Sequence, residues 1–146
     1  MLLCLNCHTI VDRAPEEYSV EVLREWKASH ELRIAEALGV VRYARREQAR
    51  SALVRLLDDN RRIWELYGPE SPRAWQPETS SVWFRNVRDV VLPNNSRILR
   101  ILEVNYHLLT VAERPLVAEF SAHARALEQR HLGGVVDPSA PRFPPG

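Results

Sequence analysis

The 146-residue sequence lacks long apolar runs, a signal-peptide start and glycine-rich motifs, and each absence excludes a class of protein. No apolar run approaches the roughly 20 residues that span a bilayer, so we expect no membrane protein. The start of the chain lacks the positive region and long apolar stretch of a signal peptide, which predicts a cytoplasmic location. With five glycines, the chain has no Gly-rich phosphate loop, and no G-x-S-x-G motif is present. The balance of 45% hydrophobic and 27% charged residues is typical of a globular protein.

Lysine is nearly absent: Lys27 is the single lysine among 20 basic residues. Arginine pairs with carboxylates and phosphates through a planar fork, so the bias is compatible with a nucleic-acid partner. A genome whose codon usage favours arginine explains the bias more simply. The net charge of +1 argues against strong non-specific DNA binding by the whole chain.

The sign of the charge changes along the chain. Residues 1–31 hold three basic and six acidic side chains, whereas residues 32–67 hold eight basic and five acidic ones. This change near residue 31 indicates two modules.

Apolar residues recur at three- and four-residue spacing over most of the chain, which predicts amphipathic helices. Gly68-Pro69 is typical of a helix end, and Pro93 predicts another, followed by a cap at Asn94-Asn95-Ser96. Thr110 and Glu113 match a capping box that begins the last helix. We predict helices over 19–31, 40–67, 79–91, 96–109 and 110–132.

Two asparagines lie on these apolar stripes. Asn60 and Asn105 fall among residues that we expect in the core. A buried amide needs hydrogen-bond partners, so we expect the two side chains to bond each other or a helix end and to pin the bundle.

Cys4-x-x-Cys7-His8 is the one constellation with the character of a metal site. Two thiolates three positions apart at a strand-to-helix turn can bind one zinc ion from two corners of a tetrahedron. A structural zinc site needs four ligands, and no second pair lies nearby. A redox dithiol is disfavoured because no βαβ pattern surrounds the motif.

Residues 2–31 resemble the second half of an HNH endonuclease domain. The resemblance lies in Leu2-Leu3-Cys4-Leu5-Asn6-Cys7-His8-Thr9-Ile10-Val11-Asp12, followed by Tyr18, Leu23, Trp26-Lys27 and His30-Glu31. Many members of that family carry a cysteine pair, a histidine and a trailing helix in this order and spacing. The resemblance covers about a fifth of the chain and implies a truncated ββα-metal element.

The resemblance also implies roles for individual residues. His8 matches the family's final histidine, a ligand of the catalytic divalent metal, Mg or Mn. Cys4 and Cys7 match half of a structural Zn site, and His30 matches a recurrent histidine whose role we do not assign. Asp12, Tyr18, Leu23, Trp26 and Lys27 match positions that support the fold, and the implied partner is DNA.

The family's general-base histidine, its orienting asparagine and its second cysteine pair have no counterpart in the sequence. Phosphodiester hydrolysis needs a base and a metal in fixed mutual geometry, so we expect this chain to be inactive alone. The metals are expected only if the upstream half is supplied. A start codon assigned too late, a split or decayed gene, or a separate complementing chain each explain its absence.

Four arginines on the predicted second helix are candidate contacts to a phosphate backbone. Arg42, Arg46 and Arg50 are spaced by four, and Arg45 is adjacent. A solvated face interleaved with Glu47 is the alternative interpretation.

Aromatic and histidine side chains are weaker candidates. Trp64 and Trp83 fit the core, whereas Trp75 lies in a proline-rich loop and is free to stack on a base. His107, His123 and His131 share no ligand spacing.

We therefore predict a mainly α protein: a truncated HNH-like ββα-metal element over 1–31, a linker over 32–39, a bundle of about four helices over 40–132 and a disordered Pro-rich tail over 133–146. The predicted function is the C-terminal portion of an HNH-type metal-dependent DNA endonuclease. The alternative is a non-enzymatic, all-helical interaction module with an inert HNH remnant. An unpaired strand edge would then favour a homodimer or a partner chain.

Overall fold

The computed structural model describes residues 3–134, and every regular element in that range is helical. The predicted mainly α fold is therefore confirmed. A π-helical segment, Val87–Val91, joins two of the helices without a break, and a 3-10 turn, Tyr106–Leu108, follows the second of them. The α-helices are α1 (Leu5–Arg13), α2 (Val20–Leu38), α3 (Arg46–Tyr67), α4 (Pro77–Asn86), α5 (Leu92–Val104) and α6 (Arg114–Leu132).

The chain divides after Leu38 into an N-terminal unit and a helical unit. Within residues 3–134, none of the helices combines the length and the apolar character that crossing a membrane requires. The predicted tail lies outside the described residues from position 135 onward.

The N-terminal unit lacks the expected ββα element, because residues 3–38 contain no strand. The predicted strand-to-helix turn at Cys4–Cys7 is wrong: Cys7 and His8 lie inside α1, whose first turn closes when the His8 N–H donates to the Cys4 carbonyl at 2.9 Å. A helix satisfies its backbone groups locally, whereas a strand needs a partner strand.

Helix α2 begins as predicted and ends later. The Ser19 hydroxyl accepts a hydrogen bond from the Val22 N–H at 3.4 Å and so caps the first turn of the helix. The helix continues to Leu38, through most of the 32–39 segment that we predicted as a linker. Neither α1 nor α2 contains a buried residue.

The helical unit packs α3, α4, α5 and α6 around two apolar clusters. In the larger cluster α3, α5 and α6 meet, and its buried members are Ala52, Leu56, Ile98, Ile101, Phe120 and Ala124. In the smaller cluster Trp83, Val87 and Leu92 are buried against the half-buried Ile63, Tyr67 and Leu127. Large buried apolar side chains each contribute roughly 1.5–3 kcal/mol, so these clusters are the main source of the unit's stability.

Helix α3 starts at Arg46 and not at residue 40, because Asn105 binds the backbone of the preceding, non-helical segment. The Asn105 Oδ1 accepts from the Tyr43 N–H at 2.8 Å, and its Nδ2 donates to the carbonyls of Val41 and Ile101 at 2.8 and 2.9 Å. With 3% of its surface exposed, Asn105 is a fully satisfied buried amide. The predicted pinning role is confirmed, although its partner is a backbone segment.

Gly39 begins the helical unit in a conformation that favours glycine. Its φ is +70°, and a Cβ placed there would lie 2.8 Å from the Arg97 carbonyl oxygen. Both the left-handed backbone and the close approach to α5 therefore require glycine.

Pro93 does not end a helix, so the predicted break and the predicted cap at 94–96 are wrong. The chain passes from the π-helical segment directly into α5, and the Leu92 N–H donates to the Val87 carbonyl five residues earlier. A proline lacks the N–H and crowds the carbonyl four residues before it, and the wider π turn relieves both conflicts.

Asn94 and Asn95 are buried inside α5, where they bond Asn60 of α3. Asn94 donates to the Asn60 Oδ1 at 3.0 Å, and the Asn60 Nδ2 donates to the Asn95 Oδ1 at 2.9 Å. The three amides thus form a chain that fixes α3 against the start of α5. Asn60 pins the bundle as expected, but through these neighbours.

The capping box at Thr110 and Glu113 is half confirmed. The Glu113 carboxylate accepts from the Thr110 N–H at 2.9 Å and from its hydroxyl at 2.8 Å. The Thr110 side chain is therefore bound to Glu113 itself, and α6 begins at Arg114 instead of residue 110.

Candidate functional site

The candidate metal ligands lie on the exposed first turns of α1. Cys4 is the N-cap residue, Cys7 and His8 follow within the helix, and both cysteines are free thiols on the surface. The helix begins here because Cys4 has an extended backbone, with φ −66° and ψ 160°, and its carbonyl accepts the first helical hydrogen bond.

The two thiols have different electrostatic surroundings. The backbone N–H of Cys7, followed by the Cys7 thiol, stabilises the Cys4 thiolate and lowers the pKa of Cys4. The hydrogen bond to Cys4 and the charge on Cys4 raise the pKa of Cys7. Cys4 is therefore the thiol of the pair that loses its proton more readily, and the thiolate is the form that acts as a nucleophile or a metal ligand.

His8 is oriented by a carboxylate on the next turn of α1. Its Nδ1 lies 2.9 Å from the Asp12 Oδ2, and both side chains are more than 60% exposed. Donation from Nδ1–H to Asp12 leaves the lone pair on Nε2 free to bind a metal, a pattern common among metal-binding histidines. Sequence reasoning assigned Asp12 to the fold and missed this role, although its four-residue spacing from His8 is readable on a helix.

The donor set matches part of a zinc site and no more. Among residues 3–134, no three His, Cys, Asp or Glu side chains converge closely enough to hold a metal ion. Two thiols and an imidazole suit zinc chemically, but a closed structural site requires four ligands. The structure does not bring His30 into a group with Cys4, Cys7 or His8.

The four candidate DNA-binding arginines have different roles in the structure. Arg42 and Arg45 precede α3, so the predicted continuous helical stripe is wrong for Arg42. Arg46 is bound by both carboxylate oxygens of Glu113 and donates to the Leu108 carbonyl at 3.2 Å. Arg50 is exposed, one turn further along α3.

Arg46 and Glu113 form one side of a shallow groove with a volume of about 370 Å³. The Arg46 guanidinium, followed by the N–H and hydroxyl of Thr110, lowers the pKa of Glu113 to about 2. The two residues are 67 positions apart, so no local spacing predicted the pair. The other lining side chains include Arg50, Leu53, Leu102, Asn105 and Leu109.

The tryptophans also differ in exposure. Trp83 is buried as predicted, and its ring meets the ring of Trp64 edge-on at 5.6 Å. Trp64 is 43% exposed, so its assignment to the core is wrong in part, and Trp75 is 79% exposed.

The histidines outside α1 form no metal-binding cluster among the described residues. His131 packs between Trp83 and Phe84, and burial followed by the charge on Arg130 lowers the pKa of His131. His131 is therefore assigned to aromatic packing at the edge of the core and not to metal binding.

No family model, curated protein or solved structure matches the chain.

Proposed function

We propose that the chain is the C-terminal portion of an HNH-type, metal-dependent DNA endonuclease that acts in the cytoplasm. The observation that carries this proposal is the exposed turn with Cys4, Cys7 and His8, in which Asp12 holds the imidazole. When the missing half is supplied, the helical turn that carries Cys4, Cys7 and His8 contributes its ligands to the metal sites. Without it, the chain does not cut DNA.

Cys4 and Cys7 are proposed as two of the four ligands of a structural zinc ion. The lowered pKa of Cys4 supports this role, because metal binding requires the thiolate. A full set of ligands is worth about 10–16 kcal/mol in small zinc domains, and half a set binds far more weakly. Zinc binding by this chain alone is therefore expected to be weak.

His8 is proposed as a ligand of the catalytic Mg or Mn ion. When bound, such an ion stabilises the charge that develops on the phosphate and the leaving oxygen. Asp12 accepts the Nδ1 proton and keeps Nε2 available. The general base must come from the complementing half, since the family's general-base histidine has no counterpart in the sequence.

The lack of a core in the N-terminal unit supports the proposal of a missing half. Neither of its helices has a buried residue, and several large apolar side chains are exposed. Exposed apolar surface of this extent is typical of a face that another segment covers. The exposed side chains include Leu5 at 82%, Ile10 at 53%, Val20 at 57% and Leu32 at 51%.

The test is plasmid cleavage by the chain extended with the residues encoded immediately upstream of Met1. We expect Mg- or Mn-dependent cutting that His8→Ala abolishes and that His107→Ala, a matched change at an exposed histidine of the helical unit, leaves intact. Bound zinc, measured by elemental analysis, should fall when Cys4 and Cys7 are changed to serine. An uncut plasmid together with an absence of bound metal would overturn the proposal.

A second candidate function is a non-enzymatic helical module that binds a partner chain or a second copy of itself. The observation that favours it is the same exposed apolar surface of α1 and α2. Light scattering after size-exclusion chromatography separates the two candidates. Stable self-association without metal or cutting supports the module.

A further inference from the structure

We propose that one end of the helical unit binds the phosphate backbone of duplex DNA. This basic end consists of Arg42, Arg45, Arg50 and Arg114, and Arg114 was not among the candidates from sequence. The inference rests on the proposed DNA endonuclease function, since it assigns a contact surface for that substrate.

The balanced charge of the whole chain conceals an excess in the helical unit. Residues 39–134 hold 15 arginines and 11 acidic residues, and the acidic excess of residues 1–31 offsets this. Because electrostatic attraction to DNA depends on local charge, the net charge of +1 does not exclude binding by this unit.

Hydrogen bonds bring the four arginines to the same end of the unit. Asn105 holds Val41 and Tyr43, the neighbours of Arg42, against the end of α5. Arg46 ties the start of α3 to Leu108 in the 3-10 turn and to Glu113, which directly precedes Arg114. These bonds place segments that are distant in sequence at the same end of the unit.

Glu113 is paired with Arg46, so its carboxylate does not neutralise the arginines of the basic end. These four arginines are exposed residues, and within residues 3–134 none of them forms an ion pair with a carboxylate. By contrast, Arg61 and Arg88 are paired with Asp58 and Asp89. Free arginines bind phosphate oxygens without first breaking an internal pair.

The aromatic environment favours contacts to the backbone over stacking on bases. The Arg114 guanidinium lies over one face of the Tyr106 ring, 5.1 Å from its centroid, so that a base cannot stack on that face. Tyr43 is half-buried against the core. A basic surface whose aromatic rings are partly covered suits a duplex, whose bases are already stacked, better than a single strand.

The test measures binding of a fluorescein-labelled DNA duplex of about 20 base pairs by anisotropy, with the full chain and EDTA present. Four phosphate contacts predict a log–log salt slope of about −3.6, or roughly 150-fold weaker binding between about 50 and 200 mM salt. Changing Arg42, Arg45, Arg50 and Arg114 together to alanine should weaken binding at least about tenfold at the lower salt concentration and flatten the slope.

A control variant removes the same total charge elsewhere on the helical unit. Arg55, Arg62, Arg85 and Arg125 are also exposed, and their change to alanine should alter affinity less than about threefold. Changing the four residues of the basic end to lysine should preserve the slope, because the charge remains. Circular dichroism checks that each variant is folded. If the alanine variant is not, the same four residues changed to glutamine, which removes the charge and keeps a polar side chain, take its place, and unchanged binding by that variant overturns the inference.

Equal losses in the alanine variant and its control would overturn the inference, and so would tighter binding of single-stranded RNA than of the duplex. EDTA prevents cutting, so this measurement does not depend on catalysis. A failure of plasmid cleavage concerns the proposed function, whereas unchanged binding by the alanine variant concerns the basic end alone.

Discussion

The Asn105 side chain accepts a hydrogen bond from the backbone of Tyr43, 62 positions earlier in the chain, at 2.8 Å. Its amide also donates to Val41 and Ile101, so one residue joins the entry segment of α3 to the end of α5.

Asn105→Ala is therefore expected to destabilise the helical unit strongly. The change leaves the Tyr43 N–H without its partner and opens a small buried space, at a combined cost of about 3 kcal/mol. Urea unfolding followed by circular dichroism measures the loss. Asn86→Ala removes a single partly buried bond to the Val82 carbonyl and should cost about 1 kcal/mol. Equal effects of the two changes would contradict the role of Asn105.

Gly39→Ala should also destabilise the helical unit, for two separable reasons. A left-handed backbone costs about 1–2 kcal/mol for a residue with a Cβ, and the contact with the Arg97 carbonyl adds to that cost. Gly134 has a similar φ of +65° with open space around it, so Gly134→Ala isolates the backbone effect. Thermal melts should show the larger shift for Gly39→Ala, and identical shifts would exclude the steric contribution.

The Arg46–Glu113 pair should make stability depend on pH in the acid range. The folded-state pKa of Glu113 is about 2, below its ordinary value of 4.5, so the unfolded state binds the proton more readily. The stabilisation is therefore present above about pH 4.5 and is lost as the pH falls through about 2.

Melting temperatures of the protein and of Glu113→Gln, measured from neutral pH to about pH 2, check this dependence. The difference between the two should shrink across the acid range. A difference that is constant down to the lowest pH would show that the carboxylate charge contributes nothing.

Cys4 should react with iodoacetamide faster than Cys7. The pKa of Cys4 is lowered and that of Cys7 is raised, and the thiolate is the reactive form. Peptide mass spectrometry after brief alkylation at about pH 7.5 gives the two rates separately. In urea the rates should become equal, because the difference depends on the geometry of the α1 start. Faster modification of Cys7 in the folded protein would contradict the assigned direction.

The sequence predicted the helices well where the signal is local. Apolar spacing predicted a helix from residue 19, and α2 begins at Val20; the Gly68-Pro69 pair marked the end of α3 correctly. Helical periodicity reflects which face of the helix is apolar, and residues three and four positions apart are enough to show that face.

The sequence did not reveal features that depend on distant partners. Asn94 and Asn95 look like cap residues, and they are helical because Asn60 bonds them inside the core. The start of α3 moved from residue 40 to Arg46 because of Asn105. Local preference yields to tertiary contacts at such positions.

The candidate site was predictable in part. Cys4, Cys7 and His8 stand out by type and spacing, and the structure places all three on one helix. Among the described residues, Arg46 is paired and Arg50 is not, because Glu113 lies beside Arg46. No local sequence pattern indicates that contact. The remaining metal ligands and the general base cannot be identified from Cys4, Cys7 and His8 alone.

The extra residue in the Val87–Val91 turn sets the rotational phase of everything that follows it. Residues nine apart lie on opposite sides of a regular α-helix, which has 3.6 residues per turn. Trp83 and Leu92 are nine apart, and yet they are buried in the same apolar cluster. Deleting one residue from that turn would rotate α5 by about 100° about its axis. Asn94 would then point away from Asn60, and the apolar side chains of α5 could no longer pack into both clusters.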